Sequence, residues 1–79
     1  MRTITDEDGR AWEVVATEST GAHLKRGATL AFRPAEGGEA IPTPVTFNSA
    51  EAANFAIGTM SEKELHRRLA WAKTEAGLA

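Results

Sequence analysis

Apolar and polar residues alternate along the first half of this chain and recur at helical spacing in its last quarter, so strands are predicted first and a helix last. Arg2 to Thr5 and Ala11 to Thr17 are rich in Thr, Val, Ile and Trp, and in the second stretch Trp12, Val14 and Ala16 alternate with Glu13, Val15 and Thr17. Such alternation gives a strand one apolar face. Between the two, Asp6-Glu7-Asp8-Gly9 suits a hairpin turn: the Asp side chains accept from nearby backbone, and Gly9 can adopt the left-handed conformation without steric cost. After a polar connection over Glu18 to Gly27, a third strand is predicted from Ala28 to Arg33, with Ala28, Leu30 and Phe32 on one face. Pro34 ends it, because proline donates nothing to a ladder. Ala35-Glu36-Gly37-Gly38 is then a loose turn and Glu39-Ala40-Ile41 a short returning strand. That strand must lie at an edge, since Pro42 and Pro44 interrupt the donors; through Thr43 the chain is expected to be extended and polyproline-like, with Val45 and Phe47 pinned to the core.

Asn48 or Ser49 can cap a short helix from Ala50 to Ile57 that Gly58 stops, the alternative being an irregular stretch from Asn48 to Met60. The clearest element is SEKELHRRLAWAKTEA, Ser61 to Ala76. Ser61 and Glu64 have the spacing of a capping box, in which the hydroxyl accepts from the Glu64 N–H and the carboxylate reaches back to the Ser61 N–H. At about 100° per residue, Leu65, Leu69, Ala72 and Ala76 form one narrow apolar stripe. Met60, just before the cap, is placed to pack back on Leu65. Trp71 lies roughly 120° off that stripe, beside Glu64, Arg67, Glu75 and, if the helix continues, Leu78. It either packs at the margin of the core or forms with Leu78 a second apolar patch for a partner.

With 79 residues, the chain is expected to be one small domain, a β-meander over 1–47 and a helical part over 48–79. The fold class is α+β: a three- to four-stranded antiparallel meander packed by the C-terminal helix, with the short helix before it as an addition. A chain this small buries only about 60–65% of its unfolded surface. Ala supplies nearly half of the hydrophobic residues and has little area to bury, so the large core candidates are few: Ile4, Trp12, Val14, Val15, Leu24, Leu30, Phe32, Ile41, Val45, Phe47, Phe55, Ile57, Met60, Leu65, Leu69 and Trp71. A thin core makes self-association an expectation worth carrying.

There is no Cys, hence no disulfide and no thiolate metal site. No apolar run is long enough to cross a bilayer, and a cytoplasmic protein is expected. A net charge of −2 with both signs interspersed argues against general nucleic-acid binding. The acids of the first turn resemble the start of a calcium loop, but Gly9 is in its fourth place and Thr17 stands where the twelfth-position acid belongs. His23, Lys25 and Arg26 form a small basic loop without the glycine cradle of an anion site. His66 precedes Arg67 and Arg68 on an exposed arc; neither His has the spacing of a zinc helix or a hydrolase triad. The chain is therefore expected to be no enzyme, with no catalytic residue, metal or cofactor.

The order TDEDGRAWEV, LAF, IPTP and SEKEL resembles that of short uncharacterised bacterial proteins that join an N-terminal β-hairpin sheet to a C-terminal helix. The sequence departs from them in the AEAANFAIG segment, and the resemblance implies no activity. Function is then expected to lie in a surface: a protein-interaction module or accessory subunit, self-associating or bound to another protein, with Trp71, Arg67, Leu78 and Arg68 as contacts, Trp and Arg being the types that most often carry binding energy. The alternative is a nucleic-acid-binding accessory protein using Lys63, Arg67, Arg68 and Lys73 with Lys25 and Arg26, although Arg67 and Lys73 project about 120° apart on the helix.

Overall fold

The structure, a computed structural model, describes residues 2–20 and 26–78. Its elements run β1 (Arg2–Thr5), β2 (Ala11–Thr20), β3 (Arg26–Pro34), β4 (Ile41–Phe47), α1 (Ala50–Thr59) and α2 (Glu62–Glu75). The strands form one antiparallel sheet in the order β1-β2-β3-β4, and both helices pack on it: an α+β fold with a four-stranded meander.

The first turn forms as its residues dictate. Gly9 has φ +83° and donates its N–H to the Asp6 carbonyl at 3.0 Å, while the Asp6 N–H donates to the Arg10 carbonyl at 2.9 Å. The Asp6 carboxylate accepts from the Asp8 and Arg10 backbone, both at 2.9 Å, as expected of an Asp that opens a turn.

The second hairpin differs from expectation. β2 continues to Thr20 and β3 starts at Arg26, pairing Glu18 with Ala28 and Thr20 with Arg26, so both ends of the predicted connection are strand. The β-branched pair Thr17 and Thr29, facing each other across the ladder, favours its extension past the predicted ends. Leu24 lies outside the described residues.

The fourth strand is later and longer than predicted. It runs from Ile41 through both prolines to Phe47, with a register shift in which Ala31 faces Pro42 but Thr29 faces Thr46. Thr43, buried in that bulge, closes the gap: its hydroxyl donates to the Leu30 carbonyl at 2.8 Å and accepts from the Val45 N–H at 3.2 Å. An edge position tolerates the prolines because their missing N–H groups face away from β3.

The core lies between the sheet and the helices, with Ile4, Trp12, Val14, Leu30 and Phe32 below and Ile57, Leu65, Leu69 and Ala72 above. Ile41, Val45, Phe47 and Met60 pack around it half-buried. Val15 is only half-buried, as the alternation within β2 turns it to the other face. Two further core candidates face outward: Phe55 is 73% exposed and Trp71 46%.

Helix α1 forms, capped by the Ser49 hydroxyl, which accepts from the Ala52 N–H at 3.1 Å. Gly58 does not stop it; the helix continues to Thr59. Its end is held instead by Arg2, whose guanidinium donates to the Ile57 carbonyl at 2.8 Å and the Met60 carbonyl at 2.5 Å. The side chain of β1 thereby satisfies carbonyls that a helix end leaves without partners.

Candidate functional site

Helix α2 begins where its cap predicts, with the Ser61 hydroxyl accepting from the Glu64 N–H at 3.1 Å. Only this half of the capping box forms among the described residues. The Glu64 carboxylate turns along the helix to Arg67 and to Arg68, the latter at 2.8 Å. The hydrogen bond from Arg67, with the charges of Arg67 and Arg68, holds the Glu64 carboxyl below its ordinary range.

At the other end of the helix, Asp6 fixes α2 to the first turn. Oδ2 of Asp6 accepts from the Trp12 indole Nε1 at 2.9 Å and from Lys73 Nζ at 3.1 Å. With Oδ1 taken by the two backbone donors, the carboxylate has four partners, and its side chain is only 6% exposed. The Trp12 bond, followed by those of Arg10, Lys73 and Asp8, outweighs burial and holds the Asp6 carboxyl well below the usual range. Arg10 lies over the Trp12 ring at 5.2 Å, closing the turn from outside.

Leu65, Leu69 and Ala72 face the sheet as their spacing predicts, whereas Ala76, the last of the predicted stripe, is the exposed C-cap of α2; the helix leaves a groove on each flank. On the β4 side, Thr43, Pro44 and Val45 face Arg68 and Trp71 across an open groove of about 140 Å³. On the β1 side, the acidic turn faces His66, Leu69, Ala70, Lys73 and Leu78 across a groove of about 550 Å³.

The predicted contact residues are thus divided. Trp71 and Arg68 share the β4 groove, and Arg67 is the i−4 neighbour of Trp71 with its side chain 76% exposed. Leu78, 56% exposed, lies in the other groove and forms no common patch with Trp71. The cause is Gly77: at φ +77° it ends the helix, donating its N–H to the Thr74 carbonyl at 3.1 Å while the Leu78 N–H donates to the Lys73 carbonyl at 2.7 Å. This is the Schellman arrangement, and it folds the chain back before Leu78 can extend the Trp71 face.

The basic residues do not gather either. Lys73 points inward to Asp6, Arg67 and Arg68 are joined to Glu64, and His23 and Lys25 lie outside the described residues. Arg68 Nε is buried without a hydrogen-bond partner among the described residues. His66 is exposed at the edge of the larger groove. No group of three or more His, Asp or Glu side chains among the described residues is arranged to hold a metal ion.

Phe55 is the exposed aromatic that sequence reasoning assigned to the core. Ala53 and Ile57 form the buried stripe of α1, and Phe55 stands about 200° from Ala53 on a helical wheel. Centring that wheel on Ala53 and Ile57 exposes it. No helix among the described residues is long and apolar enough to cross a membrane. No protein-family model, curated protein or solved structure matches the chain. Function rests on the geometry alone.

Proposed function

We propose that this chain is a small non-enzymatic protein-interaction module, an accessory subunit that docks through the β4 flank of α2, with another protein or a second copy of itself as partner. The observation that carries the reading is Trp71, nearly half exposed although rooted in a groove walled by Pro44 and Val45 and bordered by Arg68. An indole held on a rigid helix beside a guanidinium offers large contact area at little cost in side-chain entropy. Arg67 extends the same contact outward. Leu78 belongs to a different flank and drops out of it.

The alternative of nucleic-acid binding draws less support, because Arg67, Arg68 and Lys73 are each paired with a carboxylate. The self-associating form is tested by sedimentation equilibrium of the wild type, Trp71→Ala and Phe55→Ala over a wide concentration range. The expected result is a mass that rises above 8.4 kDa with concentration for the wild type and Phe55→Ala, and stays there for Trp71→Ala. A monomer throughout removes a second copy as partner; equal loss in both variants removes the Trp71 groove as the contact.

A further inference from the structure

The two edges of the sheet are not equivalent. The Asp6 N–H donates to the Arg10 carbonyl, and the register pairs Ile4 with Trp12 and Arg2 with Val14. Hydrogen-bonded pairs alternate along an antiparallel ladder, so Arg2 and Ile4 turn their backbone groups to β2 while Thr3 and Thr5 turn theirs outward. Those outward N–H and C=O groups have no ladder partner among the described residues. On the opposite edge, the Ala35 N–H donates to the Ala11 carbonyl, and this phase turns Phe32 and Ala28 toward β4 and positions 42 and 46 of β4 outward. Pro42 has no N–H to offer there, and Pro44 beside it has none either. The β4 edge is closed to strand pairing by its sequence and the β1 edge is open.

The larger groove runs beside that open edge. A strand added to β1 sends alternate side chains to the helix face. Ile4 lies on that face, and the groove, which Thr5 borders at the end of β1, is lined on its helix side by Leu69, Ala70 and Leu78. Toward the turn, the groove lining brings three carboxylates, Asp6, Glu7 and Asp8, against one ammonium, Lys73. Asp6 and Lys73 neutralise each other, whereas Glu7 is exposed and the Asp8 side chain is 85% exposed. The uncompensated charge at that end is negative.

We propose that β1 and the groove between it and α2 form a strand-addition site for an extended peptide segment of a partner protein. The segment pairs its backbone with Thr3 and Thr5, places an apolar side chain against Leu69, Ala70 and Leu78, and sets a Lys or Arg near Glu7 and Asp8. Backbone pairing supplies affinity and the groove supplies sequence preference, as in other cases of β-augmentation. The site is separate from the Trp71 groove and does not depend on it.

The test is selection from a random heptapeptide display library on the immobilised full chain, followed by amide hydrogen exchange with the selected peptide made synthetically. The expected consensus has an apolar residue and a Lys or Arg two positions from it. Saturating peptide should slow exchange of the Thr3 and Thr5 amides at least roughly tenfold. Glu7→Lys with Asp8→Lys should weaken binding roughly tenfold. Thr5→Pro should abolish binding, since it removes an N–H the sheet does not use, and N-methylation of alternate peptide amides should do the same with the protein unaltered. The proposal is overturned if no consensus emerges, if Thr3 and Thr5 exchange at the same rate with and without peptide, or if N-methylated peptides bind as well. Peptides that perturb Trp71 and Val45 but not β1 would also overturn it, while supporting docking at the other flank.

Discussion

Asp6 accepts from Lys73 at 3.1 Å across 67 residues of sequence, and this contact joins the first turn of the chain to its last helix. The same oxygen accepts from Trp12, so one carboxylate holds the turn, the largest core side chain and the helix together. Asp6→Ala is therefore expected to lower the thermal midpoint more than Lys73→Met, which leaves Asp6 three other donors, and far more than Asp8→Ala, whose carboxylate is mostly solvated. Thermal unfolding followed by circular dichroism ranks the three.

The depressed pKa of Asp6 gives stability a definite pH dependence. A carboxyl that ionises more readily folded than unfolded contributes its full share above the ordinary value of 3.8 and loses it as pH falls below that value toward the folded one. Urea midpoints of the wild type should drop on acidification below that ordinary value. The gap between wild type and Asp6→Asn should narrow over the same window. A constant gap would mean that Asp6 acts through shape rather than charge.

The two tryptophans divide between fold and surface. Trp12 is 1% exposed, and Trp12→Ala should cost about 3–5 kcal/mol, enough to unfold a chain this small. Trp71→Ala should cost no more than about 1 kcal/mol, in line with a partly exposed position outside the core. In the conservative variants, iodide should quench the remaining indole of Trp12→Phe readily and that of Trp71→Phe hardly at all.

Thr43 replaces backbone bonds that the register shift between β3 and β4 displaces. Thr43→Val keeps the shape but leaves the Leu30 carbonyl and the Val45 N–H without their partner, at an expected cost of about 1–3 kcal/mol in urea unfolding. Ser61→Ala, which removes the α2 cap, should cost about 1 kcal/mol.

Local chemistry made much of this fold legible before any coordinates. The Asp6–Gly9 turn, the Ser61 cap, the Leu65–Leu69–Ala72 stripe and the edge position of the prolines each depend on residues within a few positions of one another. The misplaced features depend on distant ones. Arg2 reaches the end of α1, and Asp6 reaches Lys73; no spacing rule links such pairs, because the sheet topology creates their proximity. Phe55 and Leu78 are different, as their signals were present. The Ala53–Ile57 stripe excludes Phe55 from the core of α1, and Gly77 in the position of a helix C′ residue turns Leu78 away from Trp71. Of the predicted contacts, Trp71, Arg67 and Arg68 remain together because they stand on the same regular helix.

Docking at the β4 flank of α2 is tested most directly by a photoreactive phenylalanine analogue placed in turn at positions 71 and 55 in cells expressing the chain. Both positions are exposed, but only 71 borders the groove, so irradiation should give a discrete crosslinked species from 71 and none from 55. Equal crosslinking from both positions, or none from 71, would contradict the account.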